Sequence, residues 1–123
     1  MSKGIVTDYP EICFICGRPS EAEHHLVFGT AGRELSEKDG LKVPVCNNCH
    51  NMGEILMRIH GNPIAERLSK IIGQLAWEKE YALQKADEFA RIIDADRKEG
   101  EVKQIIYKGG RETFRKRYGC SYL

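Results

Sequence analysis

A chain of 123 residues with 41% apolar and 30% charged side chains has a soluble, globular composition, with room for one modest core or a core plus a helical extension. No apolar run approaches the roughly 20 residues that cross a bilayer, which argues against a membrane-spanning helix. The net charge of +1 excludes a globally basic nucleic-acid binder, so any such surface must be local.

The start, Met1-Ser2-Lys3-Gly4-Ile5-Val6, lacks the apolar centre and cleavage site of a secretory signal, so a cytoplasmic location with reduced thiols is expected. Residues 1–61 form a first unit rich in Cys, His and Gly, reading as strands and loops. Short apolar runs lie at Ile12 to Ile15 and at Leu26-Val27-Phe28, followed by a Gly-rich loop, Gly29-Thr30-Ala31-Gly32. Leu41, Val43 and Val45 alternate as a half-buried strand does. Around Cys49 the pattern turns helical, with Ile55, Leu56 and Ile59 at helical spacing and Gly61 placed to end the helix.

A second unit, 62–123, opens at Asn62-Pro63, an N-cap residue followed by proline at the first helical position. From there to about residue 98 the spacing predicts one helix of up to about 50 Å, or two segments joined near Trp77. Ile64, Leu68, Ile71, Ile72 and Leu75 make one apolar stripe, and Ala82, Ala86, Phe89, Ala90 and Ile93 another. Leu68, Ile71, Ile72, Leu75, Phe89 and Ile93 are expected to face protein, either this chain or a partner or second copy docked along the helix. Gly100 and Gly109-Gly110 punctuate the C-terminal part, and a short helix, Glu112 to Arg117, stops at Gly119. There Lys108, Arg111, Arg115, Lys116 and Arg117 are opposed only by Glu112, which makes them a candidate nucleic-acid contact or else a solvated helix face.

Cys13-x2-Cys16 and Cys46-x2-Cys49 carry the clearest chemical signal. Two residues between thiolates let one tight turn aim both sulfurs at a single ion about 2.3 Å away, and two such turns complete a tetrahedron. A zinc held this way has no open position, so it folds the chain rather than reacts. Iron, a redox pair or unmetallated thiols are the alternatives. Cys120 has no partner at ligand spacing and reads as a free thiol. All four histidines, at 24, 25, 50 and 60, fall in or at the end of the cysteine-bearing unit. In a strand, His24 and His25 point to opposite sides, so one is free to bind a metal while its neighbour addresses something else.

With Cys13-Phe14-Ile15-Cys16-Gly17, His24-His25 and Cys46-Asn47-Asn48-Cys49-His50, the chain resembles the HNH (ββα-metal) endonuclease superfamily in its four-cysteine form. The specific match covers residues 13–60. The stretch from His25 through Gly32-Arg33, Leu35-Ser36 and Gly40-Leu41 to Cys46, with the closing Tyr118-Gly119-Cys120-Ser121-Tyr122-Leu123, is similar to small HNH proteins encoded by bacteriophages. The resemblance implies an α+β fold: a small zinc-stabilised, treble-clef-like domain carrying a long helical extension. It implies DNA as substrate, His25 as the general base, and His24 and His50 as ligands of a second, catalytic divalent metal (Mg²⁺, Mn²⁺ or Zn²⁺). His60 is a further ligand of that metal, or a helix cap or packing residue. Arg33 either holds a phosphate or is solvated.

One departure stands out. The superfamily's middle Asn is absent from Lys38-Asp39-Gly40-Leu41-Lys42, so either Asp39 or loop backbone orients the histidine instead, or the site is weakened. The competing function is a non-cleaving zinc module that binds nucleic acid or inhibits a partner protein.

Overall fold

The computed structural model of the protein describes residues 3–90 and 99–123. Among these residues the fold is α+β, with a two-stranded antiparallel sheet and three α-helices. β1 (Ala22–His25) pairs with β2 (Lys42–Val45) in the register Ala22↔Val45, Glu23↔Pro44, His24↔Val43 and His25↔Lys42. Hydrogen bonds from Glu21 N–H to Val45 O (2.9 Å) and from Leu26 N–H to Leu41 O (2.8 Å) lengthen the ladder at both ends. Strand alternation works as expected on β1, burying His24 and leaving Glu23 exposed. β2 departs from the half-buried expectation, because all four of its residues are buried. Its Lys42 stays charged inside by meeting Glu37 and Glu23.

The expected Gly-rich loop is instead the start of α1 (Thr30–Asp39), which joins the strands. With only Ala31 and Leu35 apolar, this segment has no stripe to announce a helix. What holds it is Ser36, fully buried, whose hydroxyl donates to Val27 O (2.7 Å) and accepts from Val27 N–H (3.2 Å).

The helix expected from Cys49 to Gly61 is also corrected. Only one wide π-helical turn forms, Asn48–Met52, and the chain then folds back on itself. Ile59 N–H bonds Cys49 O (2.8 Å) and His60 N–H bonds His50 O (3.0 Å). Ile55 and Leu56, read as one face of a helix, are exposed, and only Ile59 is buried. On a continuous helix His50 and His60 would stand about 15 Å apart along the axis; the fold-back lays them side by side.

α2 (Pro63–Ala90) is one unbroken helix of 28 residues. It starts at the predicted cap: Asn62 Oδ1 accepts from Ala65 N–H (3.4 Å). Its inward face is rotated from the expected one. Ser69, Gly73 and Gln74 are buried, and Ile72, Ala76 and Trp77 pack on the core, whereas Ile64, Leu68 and Leu75 are more than half exposed. Gly73 explains the rotation. A Cβ there would come within 2.9 Å of Val27 Cγ2 and 3.0 Å of Leu26 Cβ, so the helix backbone lies directly on the end of β1. Of the second stripe, Ile93 and the side chains of Phe89 and Ala90 lie outside the described residues.

α3 (Glu99–Tyr118) replaces the expected short helix and passes straight through Gly100, Gly109 and Gly110. The glycine pair is a contact, not a break. Cβ atoms at 109 and 110 would stand 3.1 and 3.2 Å from the Tyr81 side chain of α2. The predicted stop holds, with Gly119 at φ 86° and its amide on Arg115 O.

One core unites both parts of the chain. Leu26, Leu41, Val43, Val45, Cys46 and Ile59 share it with Phe114 of α3, which is fully buried, and Trp77, Tyr118 and Tyr122 pack around it. Among the described residues, no helix is long and apolar enough to cross a membrane.

Candidate metal centres

The four predicted thiols converge. Two knuckles supply them, the first closed by Gly17 N–H on Cys13 O (3.0 Å) and joined to β2 by Phe14 N–H on Pro44 O (2.7 Å). The second leads from β2 into the π-turn. The sulfurs of Cys13, Cys16, Cys46 and Cys49 all lie within 4.8 Å of one another, and Cys13, Cys46 and Cys49 are buried. Their proton affinities diverge. Burial would raise the Cys13 thiol, but backbone hydrogen bonds around Cys16, Cys46 and Ile15 outweigh it and bring it down to about 6. Burial and the neighbouring sulfurs push Cys49 well up. Four thiols so close cannot all ionise alone, whereas a cation between them compensates the charge. The cluster could therefore hold a structural metal such as zinc. Cys120 is exposed and takes no part in it.

A second cluster lies next along the chain. Ring nitrogens of His24, His50 and His60 lie within 4.8 Å of one another, and His50 Nε2 faces His60 Nε2 at 3.1 Å. Burial pushes His24 down to about 3, with His60, His50 and His25 adding to the shift, and burial together with His60 and His25 lowers His50. The neutral form that burial favours at His24 and His50 is the one in which imidazole rings bind a metal. Three of them could hold a divalent ion and leave a coordination position open.

Ser69 fixes one ring. Its single hydroxyl proton goes to Leu26 O (2.7 Å), so at 2.8 Å from His24 Nε2 it must accept, which puts the His24 proton on Nε2 and the lone pair on Nδ1. His60 has Glu66 Oε2 at 4.0 Å from Nδ1 and Phe28 edge-on at 4.9 Å. Sequence reading missed Ser69. Nothing local marks it, since it meets His24 only because α2 crosses the end of β1.

His25 turns to the opposite face, as alternation requires. Its Nε2 lies 2.8 Å from Glu37 Oε2, and the other Glu37 oxygen accepts from Lys42 Nζ (3.1 Å). Asp39, named as a stand-in for the missing Asn, is committed elsewhere. It accepts two bonds from Arg117 (2.7 Å each), one from Tyr118 Oη (2.7 Å) and one from Trp77 Nε1 (3.2 Å).

The basic residues divide. Arg111 pairs with Glu78, Arg115 with Glu112 and Arg117 with Asp39. Arg33, in the first turn of α1 rather than a loop, and Lys116 are exposed. A further cation stands nearer the histidines: Lys70 Nζ lies 4.7 Å above the ring of Phe28. Comparison with family models, with curated proteins and with solved structures gives no match.

Proposed function

We propose that this protein is a metal-dependent endonuclease of the HNH, ββα-metal type that hydrolyses phosphodiester bonds in DNA. The observation that carries the reading is the triple-histidine cluster. Its His50 directly follows the last cysteine of the thiol cluster, and its His24 sits beside His25 on one strand. A purely structural zinc module needs no second set of converging ligands.

The chain's own groups divide the work. Cys13, Cys16, Cys46 and Cys49 hold a structural zinc that fixes where His50 begins. His24, His50 and His60 would hold the second ion, and a divalent metal there would supply neutralisation of the charge that builds up during phosphodiester cleavage. His25 takes a proton from water as the water oxygen attacks phosphorus. The bond from phosphorus to the 3′ oxygen breaks, and that oxygen leaves as a hydroxyl after taking a proton from solvent. Arg33, Lys116 and Lys70 are cations available, among the described residues, to DNA phosphates.

The test is nicking of supercoiled plasmid with added Mg²⁺ or Mn²⁺. Wild type should cleave. His25→Ala should lose about 100-fold or more in rate with both metal sites still loaded. His50→Ala should lose cleavage together with affinity for the second metal in calorimetry. Absence of cleavage by wild type on duplex, single-stranded and branched DNA alike would reject the reading.

That outcome would favour the second reading, a non-cleaving zinc module that binds nucleic acid or inhibits a partner. Two observations speak for its partner-inhibiting form: the pairing of Arg111, Arg115 and Arg117 within the chain, which withdraws them from phosphates, and the exposed apolar side chains of Met52, Ile55, Leu56 and Met57 beside the histidines in sequence.

A further inference from the structure

The absent Asn leaves His25 without the residue expected to orient it, and the geometry around His25 supplies a different one. His25 and Lys42 are directly opposed across the sheet, and Glu37 of α1 reaches both. Its Oε2 lies 2.8 Å from His25 Nε2, while its Oε1 accepts from Lys42 Nζ at 3.1 Å. Lys42, only 5% exposed, also meets Glu23 at 3.3 Å. The backbone that carries Glu37 is anchored beside β1, because its neighbour Ser36 is bonded both ways to Val27. The hydrogen bond from His25, followed by that from Lys42, holds the Glu37 carboxyl below its ordinary value, so near neutral pH it is an acceptor only.

An acceptor at Nε2 obliges that nitrogen to carry the ring proton, which leaves the lone pair on Nδ1. Among the described residues Nδ1 has no hydrogen-bond partner, and no buried side-chain nitrogen or oxygen there is left without one. Nδ1 therefore reaches solvent.

We infer that Glu37 is the positioning residue of His25, fixing its tautomer and ring plane so that Nδ1 faces the water to be activated. The catalytic meaning of this assignment rests on the nuclease reading; the tautomer does not. A carboxylate also goes beyond what an amide offers, since it balances the positive ring that forms once Nδ1 takes a proton. Asp39 has no part in this, being bound to Arg117, Tyr118 and Trp77.

The test joins long-range ¹H–¹⁵N spectra of the histidines in zinc-loaded protein with single-turnover cleavage of plasmid DNA in Mn²⁺. In wild type the His25 proton should sit on Nε2. Glu37→Ala should release it to a mixture of tautomers and slow cleavage about 100-fold, with DNA affinity and metal content unchanged. Glu37→Gln, which keeps an acceptor oxygen and the packing, should retain the Nε2 tautomer and stay within about tenfold of wild type. In a His25→Ala background Glu37→Ala should add nothing, because a residue that acts through the ring has no effect without it.

A His25 proton on Nδ1, or a tautomer indifferent to residue 37, overturns the assignment whatever the activity. Equal slowing by Glu37→Ala with and without His25 overturns it too, and makes Glu37 an independent contributor. A wild type that cleaves no DNA, yet holds its His25 proton on Nε2 only when residue 37 can accept, rejects the nuclease reading and leaves the positioning role standing.

Discussion

Three side chains outside the cysteine and histidine clusters make contacts between distant segments, and each makes a separate expectation. Ser69 accepts from His24 Nε2 while donating to Leu26 O. Ser69→Ala should weaken binding of a divalent ion to the His24, His50 and His60 cluster about 10- to 100-fold in titration calorimetry and leave metal binding by the four thiols unaffected. Asp39 receives Arg117, Tyr118 and Trp77 across 78, 79 and 38 positions of sequence. Asp39→Asn should cost about 1–3 kcal/mol in denaturant unfolding, by loosening the half-buried Tyr118 and Trp77 donors and the exposed Arg117. If Asp39→Asn instead shifts the His25 tautomer at constant stability, Asp39 has a role at His25 after all. Glu37 titrates below its ordinary range because of His25 and then Lys42. A carboxyl depressed on folding contributes stability that is present above its unfolded value and lost as pH falls through the folded one. The difference in melting temperature between wild type and Glu37→Gln should thus be present near neutrality and vanish on acidification below the carboxylate range.

At the level of elements, α2 is the beam on which the rest is aligned. Its backbone touches the end of β1 at Gly73, and its Tyr81 fills the notch that Gly109 and Gly110 leave in α3. Alanine is the better helix former by about 1 kcal/mol, yet Gly73→Ala should destabilise by about 1–3 kcal/mol, since the new methyl overlaps Val27 and Leu26 in a packed core. Chemical denaturation measures this directly, and a stabilised Gly73→Ala would show that α2 stands off β1. The same rotation leaves Ile64, Leu68 and Leu75 in an exposed row on the outer face of the helix. The π-turn and the return of the chain to Ile59 and His60 form the other decisive element, because they bring two histidines ten residues apart into contact.

For the molecule as a whole, the helical half and the cysteine-bearing half stand or fall together. Phe114 from α3 is buried among Leu26, Leu41, Val43 and Val45, and Gln74 of α2, itself fully buried, accepts from Tyr122 N–H (2.7 Å) to bring the C-terminal tail back. A metal that fixes Cys13, Cys16, Cys46 and Cys49 therefore supports the helices as well as the sheet. Chelation under reducing conditions should abolish amide protection in α2 and α3 along with that of β1 and β2. Hydrogen exchange by mass spectrometry would detect this, and helices that remain protected in metal-free protein would mean that the second half folds on its own packing.

The sequence by itself determined the features that depend on a few adjacent residues. The two Cys-x2-Cys turns, the opposite faces of His24 and His25, the strand around Val43, the helix start at Asn62-Pro63 and the chain's last helix stop at Gly119 all follow from backbone rules acting within one turn or one pleat. It also concentrated the four histidines near the cysteines without saying which would meet. Only the tertiary structure decided the rest. Gly109 and Gly110 look like breaks until Tyr81 of another helix occupies the space they leave, and Ile55 and Leu56 fit a helix until the chain folds back to pair His60 with His50. α1 has only two apolar side chains, Ala31 and Leu35, so neither the helix nor the reach of Glu37 to His25 shows in the sequence. The physical reason is one of range. Propensity and periodicity report what a segment does alone, whereas the histidine cluster, the Glu37 contact and the Asp39 hub are made between segments and exist only once the shared core has brought them together.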